Sequence, residues 1–333
     1  MTEFFWNRLS KPFFVMAPMK DVTDVAWRKI VAKRGKPDVF WTEFVSADGL
    51  CHSTVAPAPL LRDLEFSNDE HPIVAQIFSS KPEMISYATK LAAELGFDGV
   101  DINMGCPDRA VEKQGSGASL MKNPKLAVEI IRAAQEASDL PVSLKTRIGY
   151  TKESLDEWLP ILLEANPAAI TIHLRTRKEL SLVPAHWELM QKAVEIRNRI
   201  NPNVLLIGNG DVQDLEDAKI KVAESGCDGV MLGRAMFGNP WLFSGIDGLR
   251  KSIMSDDAFT KSQHGLEEKL EALIELAYEF EKISPAKHFS ILKKHIKAFV
   301  TGFDGAADLR AKLMEANSAA ELENFLKGKA SPK

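Results

Sequence analysis

Eight short apolar runs, separated by helix-like stretches, constrain the fold of this chain more than any other feature. They are residues 13–19 (FFVMAPM), 38–45 (DVFWTEFV), 72–78 (PIVAQIF), 99–105 (GVDINMG), 141–148 (PVSLKTRI), 168–174 (AAITIHL), 204–210 (VLLIGNG) and 229–234 (GVMLGR). Bounded by Gly, Pro, Asn or Asp, they read as parallel strands buried on both faces. Between them, residues 81–95, 124–137, 154–165, 187–199 and 212–225 carry apolar side chains at helical spacing. Pro82 falls in a first turn, where its missing N–H costs nothing, and Asn123 stands where a cap is needed. The alternation predicts an α/β chain folded as a closed (β/α)8 TIM barrel. An open doubly wound sheet is the competing arrangement, but no GxGxxG turn follows the first run.

Polar residues end nearly every run: Met19-Lys20-Asp21, Glu43, Gln76, Asn103, Lys145-Thr146-Arg147, His173, Asn209-Gly210-Asp211 and Gly233-Arg234. A barrel gathers those ends on one face, where barrel active sites lie. From about residue 245 the strand signal stops. Residues 265–283, 285–300, 306–317 and 319–327 read as amphipathic helices, with Phe289, Leu292, Ile296, Phe299 and Val300 on one stripe and Lys287, Lys293, Lys294 and Lys297 off it. The expected organisation is a barrel over residues 1–244 and a small helical domain over 245–333.

Composition excludes several classes. The 333 residues are 45% hydrophobic and 26% charged, an ordinary globular balance. Three separated cysteines, Cys51, Cys106 and Cys227, form no CxxC pair, so neither a disulfide scaffold nor a thiolate metal site is expected. No apolar run approaches the ~20 residues of a membrane helix. The first residues lack a basic start and a cleavage site, which makes the cytoplasm the expected location. A net charge of −4 excludes a globally basic nucleic-acid binder and leaves room for a local basic face.

Chemistry concentrates at the strand ends. The glycine-bearing turns Asn209-Gly210-Asp211 and Gly233-Arg234 offer backbone N–H groups near helix N-termini, a setting for phosphate, and Arg234 adds charge. Lys145, inside an apolar strand, either forms a Schiff base or offsets negative charge on a bound cofactor. Gln76 can donate and accept at once, as a flavin or base edge requires. His173 shares the mouth with Lys145. Cys106, in Asn103-Met104-Gly105-Cys106-Pro107, places a thiol at the mouth. With an ordinary pKa of ~8.5 it can donate a proton, or act as a nucleophile beside a base. Ala17, Pro18 and Met19 offer a backbone platform for a flat ring.

The segments APMKDVTD (17–24), TEFVSADGL (42–50), NMGCPDRAVEKQGSGASLM (103–121), SLKTRIG (143–149), NGDVQD (209–214) and LGRAMFGNPWLF (232–243) resemble, in order, the tRNA-dihydrouridine synthases. The block around Cys106, with Gly115 and Gly117, is the most specific. The tail resembles the family's RNA-binding helical domain. The resemblance implies FMN at the top of a barrel and NADPH-driven reduction of a tRNA uridine to 5,6-dihydrouridine. Hydride would pass from flavin N5 to C6, and a proton from Cys106 to C5. It implies further that Ala17, Pro18 and Met19 lie by the flavin, that Gln76 and Lys145 meet its polar edge with His173 nearby, and that Asn209, Gly210, Asp211, Gly233 and Arg234 hold its phosphate.

A tRNA face is expected from Asn103, Arg109, Lys113, Arg175, Arg177 and Lys178, with Lys287, Lys293, Lys294 and Lys297 of the tail, on a monomer. Leu174 after His173, and the lack of a Tyr-x-Gly in residues 178–187, depart from much of the family and leave the modified uridine open. The competing activities are an FMN enzyme acting on a free pyrimidine, as dihydroorotate or dihydropyrimidine dehydrogenases do, a phosphosugar aldolase using Lys145, and a non-catalytic tRNA-binding barrel.

Overall fold

Strand by strand, the apolar runs become a ring. A computed structural model describes residues 4–52, 57–255, 264–283 and 287–327. Its strands are β1 (Phe13–Met16), β2 (Phe40–Trp41), β3 (Val45–Ser46), β4 (Ile73–Phe78), β5 (Gly99–Asn103), β6 (Val142–Arg147), β7 (Ala169–His173), β8 (Leu205–Asn209) and β9 (Gly229–Leu232). All pair in parallel, β1 with β9 and so round to β4, which pairs with both β2 and β3. Backbone bonds from Asp38 N to Phe14 O (3.0 Å) and from Met16 N to Val39 O (3.3 Å) join β1 to the start of β2 and close the ring. This is the expected TIM barrel.

Run 38–45 divides into two strands at Thr42. The amide of Gln76 donates to the hydroxyl of Thr42 at 3.1 Å, and a side chain there stands in for a ladder carbonyl.

Inside the ring, alternate residues form a second core: Phe13, Val15, Trp41, Val74, Ala169, Leu205, Ile207 and Met231. Phe5 and Trp6, on a short 3-10 turn, plug the end where the strands begin. The outward residues pack under the helix layer. That layer is α1 (Val25–Arg34), α2 (Ala47–His52), α3 (Pro57–Arg62), α4 (Pro82–Glu94), α5 (Arg109–Lys113), α6 (Pro124–Ala137), α7 (Leu155–Glu164), α8 (Glu188–Ile200) and α9 (Leu215–Ser225). Asn123 caps α6 as expected, accepting from Leu126 N at 3.3 Å. Helix α1 escaped the apolar-spacing reading because Arg28 sits on its inner face. It is fully buried and bonded to Glu70 (2.5 Å) and Thr23 O (2.9 Å).

The tail comprises α10 (Ile246–Ser255), α11 (Leu266–Glu281), α12 (Lys293–Phe299), α13 (Ala306–Leu313) and α14 (Ala319–Lys327). The helix expected over 285–300 is narrower: 284–286 lie outside the described residues, and a 3-10 turn, Phe289–Leu292, leads into α12. Leu273, Leu276, Phe280, Ile296 and Phe299 of the tail share one apolar core with Trp27 and Ile30 of α1. Among the described residues, no helix is long and apolar enough to cross a membrane.

Candidate active site

At the C-terminal ends of the strands the inward residues turn polar, and one buried carboxylate organises half of them. Asp101, midway along β5, accepts from Gln76 Nε2 and from Ser143 Oγ, each at 2.7 Å. Burial lifts its pKa to about 6 against the pull of those two bonds. Gln76 Oε1 then accepts from Asn103 Nδ2 (3.1 Å), and Asn103 Oδ1 accepts from the amides of Gly105 (3.1 Å) and Cys106 (2.9 Å). A relay of fixed dipoles therefore runs from Asp101 to the backbone that presents Cys106. Its thiol is half-buried, and burial raises its pKa, so it carries its proton at neutral pH. Gly117 is required beneath it. Its φ is +61°, and a Cβ there would stand 2.8 Å from the Cys106 carbonyl oxygen.

The opposite half is cationic. Lys145 Nζ donates to Asn209 Oδ1 at 3.3 Å, and Asn209 Nδ2 donates to Met231 O at 2.8 Å. Burial, then the neighbouring Arg147, lower the Lys145 pKa to about 8. Burial, with Lys145 and Arg147 after it, drives His173 well below the usual histidine value and keeps the ring neutral. Arg147 Nε donates to Gly105 O (2.8 Å), and its Nη1 to Thr176 O (3.1 Å) and Leu180 O (3.0 Å), tying the Cys106 turn to the loop after β7. Gly210, at φ +126°, has no room for a Cβ, which would fall 2.8 Å from Ala185 Cβ and 3.1 Å from His173 Cδ2. The Asp211 carboxylate takes the guanidinium groups of both Arg175 and Arg234, and the Arg175 bond holds its pKa below the usual carboxylate value.

Two recesses open between these halves. One, of about 240 Å³, is lined by Ala17, Pro18, Met19, Lys145, His173, Asn209, Gly210, Asp211, Gly233 and Arg234 among others. The second, of about 180 Å³, holds Gln76, Asn103, Cys106 and Arg147. They share Pro18, Lys145 and His173, so they form one cleft across the mouth.

A family model described as dihydrouridine synthase (Dus) matches residues 15–332. The chain belongs to the dihydrouridine synthase family. A probable tRNA-dihydrouridine synthase of Staphylococcus aureus (strain Mu50) is 41% identical over 332 residues, covering 98% of this chain and 95% of the relative. The probable tRNA-dihydrouridine synthase 2 of Bacillus subtilis (strain 168) is 41% identical over 331 residues, with 98% and 96% covered. Among solved structures, a 2-naphthoyl-CoA reductase complex superposes with a TM-score of 0.56 at 11% identity. A histamine dehydrogenase from Rhizobium sp. 4-9 gives 0.53 at 13%. The match covers 73% and 80% of this chain and 51% and 48% of those longer ones, and it supports the barrel fold.

The family's barrel brings all eleven residues expected at a cofactor to the cleft, with Cys106 beside them. The expected RNA face divides. Arg109, Lys113, Lys178, Lys294 and Lys297 are exposed, Lys293 is half-buried, and Arg177 is paired with Glu112 at 2.9 Å. Two expectations need correction. Arg175 turns inward, its side chain 3% exposed, and braces Asp211 and the Val183 carbonyl (2.6 Å). Lys287 is buried against Glu43 at the seam between tail and barrel and is no surface cation. Asp101 was missed, although an acid inside GVDIN was the available signal.

Proposed function

We propose that this chain is an FMN-dependent tRNA-dihydrouridine synthase that uses NADPH to reduce a tRNA uridine. The observation that carries the reading is the shared cleft: a protonated thiol in one recess, an anion-suited basin in the other, and Pro18, Lys145 and His173 common to both. The residues fit a flavin phosphate. Arg234 lies on the rim beside the Gly210 and Gly233 backbone, and Gly210 stands where a Cβ would clash with Ala185 and His173. Asn209, Gly210, Asp211, Gly233 and Arg234 would hold the phosphate end, Ala17–Met19 would back the ring, and Gln76, Lys145 and His173 would meet its edge. When bound, the flavin supplies the reducing equivalents for the uracil C5–C6 bond.

The chain's own residues do the rest. Cys106 holds a proton and delivers it to C5, the Asn103 side chain fixing the turn that aims it. Lys145, as an ammonium, stabilises negative charge in the cleft. Asn103 would face the substrate base. Arg109, Lys113, Arg177, Lys178, Lys293, Lys294 and Lys297 would attract phosphates without reading sequence. The target base must leave its stack to enter the cleft.

The test is direct. The purified chain is loaded with FMN and incubated with NADPH and tRNA lacking dihydrouridine, and modified nucleosides are counted. Dihydrouridine at one tRNA position is expected. Reduction of free uracil or orotate with tRNA untouched would replace the reading with that of a free-pyrimidine reductase.

A further inference from the structure

The loop carrying Ala17, Pro18 and Met19 has a second face, and the helical tail sits on it. Toward the mouth, Ala17 N donates to Leu232 O (2.8 Å) and Met19 N to Thr23 Oγ1 (2.9 Å). Toward the tail, Val22 N donates to Glu43 Oε1 (3.1 Å), Val22 O accepts from His295 Nε2 (3.2 Å), and Lys294 Nζ lies 3.4 Å from Asp21. Glu43 is completely buried, and its other oxygen accepts from Lys287 Nζ. The same ammonium stands 3.5 Å from Asp63 and 3.9 Å from Asp24, the cap of α1. His295 also stacks on Trp27, with ring centroids 4.6 Å apart. Burial works against charge on Lys287, yet Glu43, Asp24 and Asp63 outweigh it and hold its pKa above the usual lysine value.

Glu43 thus has two duties: one oxygen fixes the Val22 amide and the other needs a cation. Among the described barrel residues, the other cation near Glu43 is Lys20, half-exposed, 4.0 Å from Glu43 and 2.8 Å from Asp63. Without Lys287, Glu43 would be a buried carboxylate without an adequate partner. That uncompensated buried charge would draw in water and release the loop. Resting on the flavin reading, we propose that Lys287 is a positioning residue. Through Glu43 it locks the turn at residues 19–24, and so the platform at Ala17–Met19, making the tail a builder of the flavin seat as well as a landing surface for RNA.

The test uses the full-length chain as wild type, Glu43→Gln, Lys287→Met and the double variant. Amide hydrogen exchange is read on flavin-free protein, and FMN affinity by fluorescence titration. Lys287→Met should speed exchange at residues 19–24 and weaken FMN binding, each by about ten-fold or more, while β6 amides keep their protection. The double variant should recover FMN affinity to within about three-fold of wild type, because the carboxamide oxygen introduced by Glu43→Gln still accepts from Val22 and the charge of Glu43 is gone, while Asp63 keeps Lys20 (2.8 Å) and Asp24 keeps the Trp27 amide (3.0 Å). Wild-type loop exchange and FMN affinity in Lys287→Met, with only a lowered Tm, would overturn the proposal. So would a double variant no better than Lys287→Met. If Lys287→Met does not fold, the double variant decides: FMN bound near wild-type affinity supports the proposal, and loss of FMN from a folded double variant overturns it. A wild-type chain that takes up no flavin would sink the flavin reading alone, and the exchange experiment would still decide the coupling.

Discussion

The two ends of the barrel are built from the same strands and the same inward register, yet they do opposite work. At the end where strands begin, Phe5, Trp6, Phe13 and Leu205 fill the ring with apolar groups. Two or four residues further along, the inward positions are Gln76, Asp101, Asn103, Lys145, His173 and Asn209. The period of two keeps both sets inside, so one strand can anchor the fold with its first residue and position chemistry with its last. Changes at the mouth should therefore lower turnover and spare stability, and changes at the plug should do the reverse.

The sharpest break of that symmetry is Cys106→Ala. Removing the proposed proton donor should slow tRNA reduction by about 10²–10⁴-fold in steady-state assays, with FMN still bound and Tm within a few degrees of wild type. Its counterpart is Trp6→Ala. The ring is 3% exposed and lies with centroids 6.0 Å from Phe13 and 5.9 Å from Trp41. Urea unfolding should show a loss of about 3–5 kcal/mol, with turnover per folded molecule unchanged. Stability close to wild type would mean that the plug is dispensable.

A smaller effect separates the two halves of the mouth. Burial lowers the Lys145 pKa to about 8, so its attraction for an anion is present at neutral pH and fades as pH rises through that value. FMN affinity of the flavin-free chain should fall by up to about ten-fold per pH unit above 8, and Lys145→Met should flatten that profile. His173, neutral across this range, should leave the profile in place when changed to Gln. The smallest effect belongs to the rim of the tail. Lys297→Glu should weaken tRNA binding a few-fold and reduce its salt slope by about one, while NADPH still reduces the flavin.

How much of this was legible in the sequence varied with the reach of the interactions. Strand runs and most barrel helices could be read because their signals are local: apolar blocks, Pro82, the Asn123 cap. The cleft could be read because polar residues closed run after run. Thr42 and Arg28 defeated the reading of their elements, since each acts through a bond to a distant partner, Gln76 and Glu70. Lys287 looked like its surface neighbours because its partners Asp24, Glu43 and Asp63 lie more than 200 positions away, and only the fold brings them together. Arg175 was read as a surface charge for the same reason, its partner Asp211 being one strand further on.

The central claim is that one cleft joins a flavin seat to a proton-donating thiol. The measurement that tests it most directly is an anaerobic single turnover, in which the FMN-loaded chain is first reduced with NADPH and then mixed with tRNA, for wild type and Cys106→Ala. The account predicts that tRNA restores the oxidised flavin spectrum in the wild type and leaves Cys106→Ala reduced on the same timescale. Equal recovery in both proteins would contradict it.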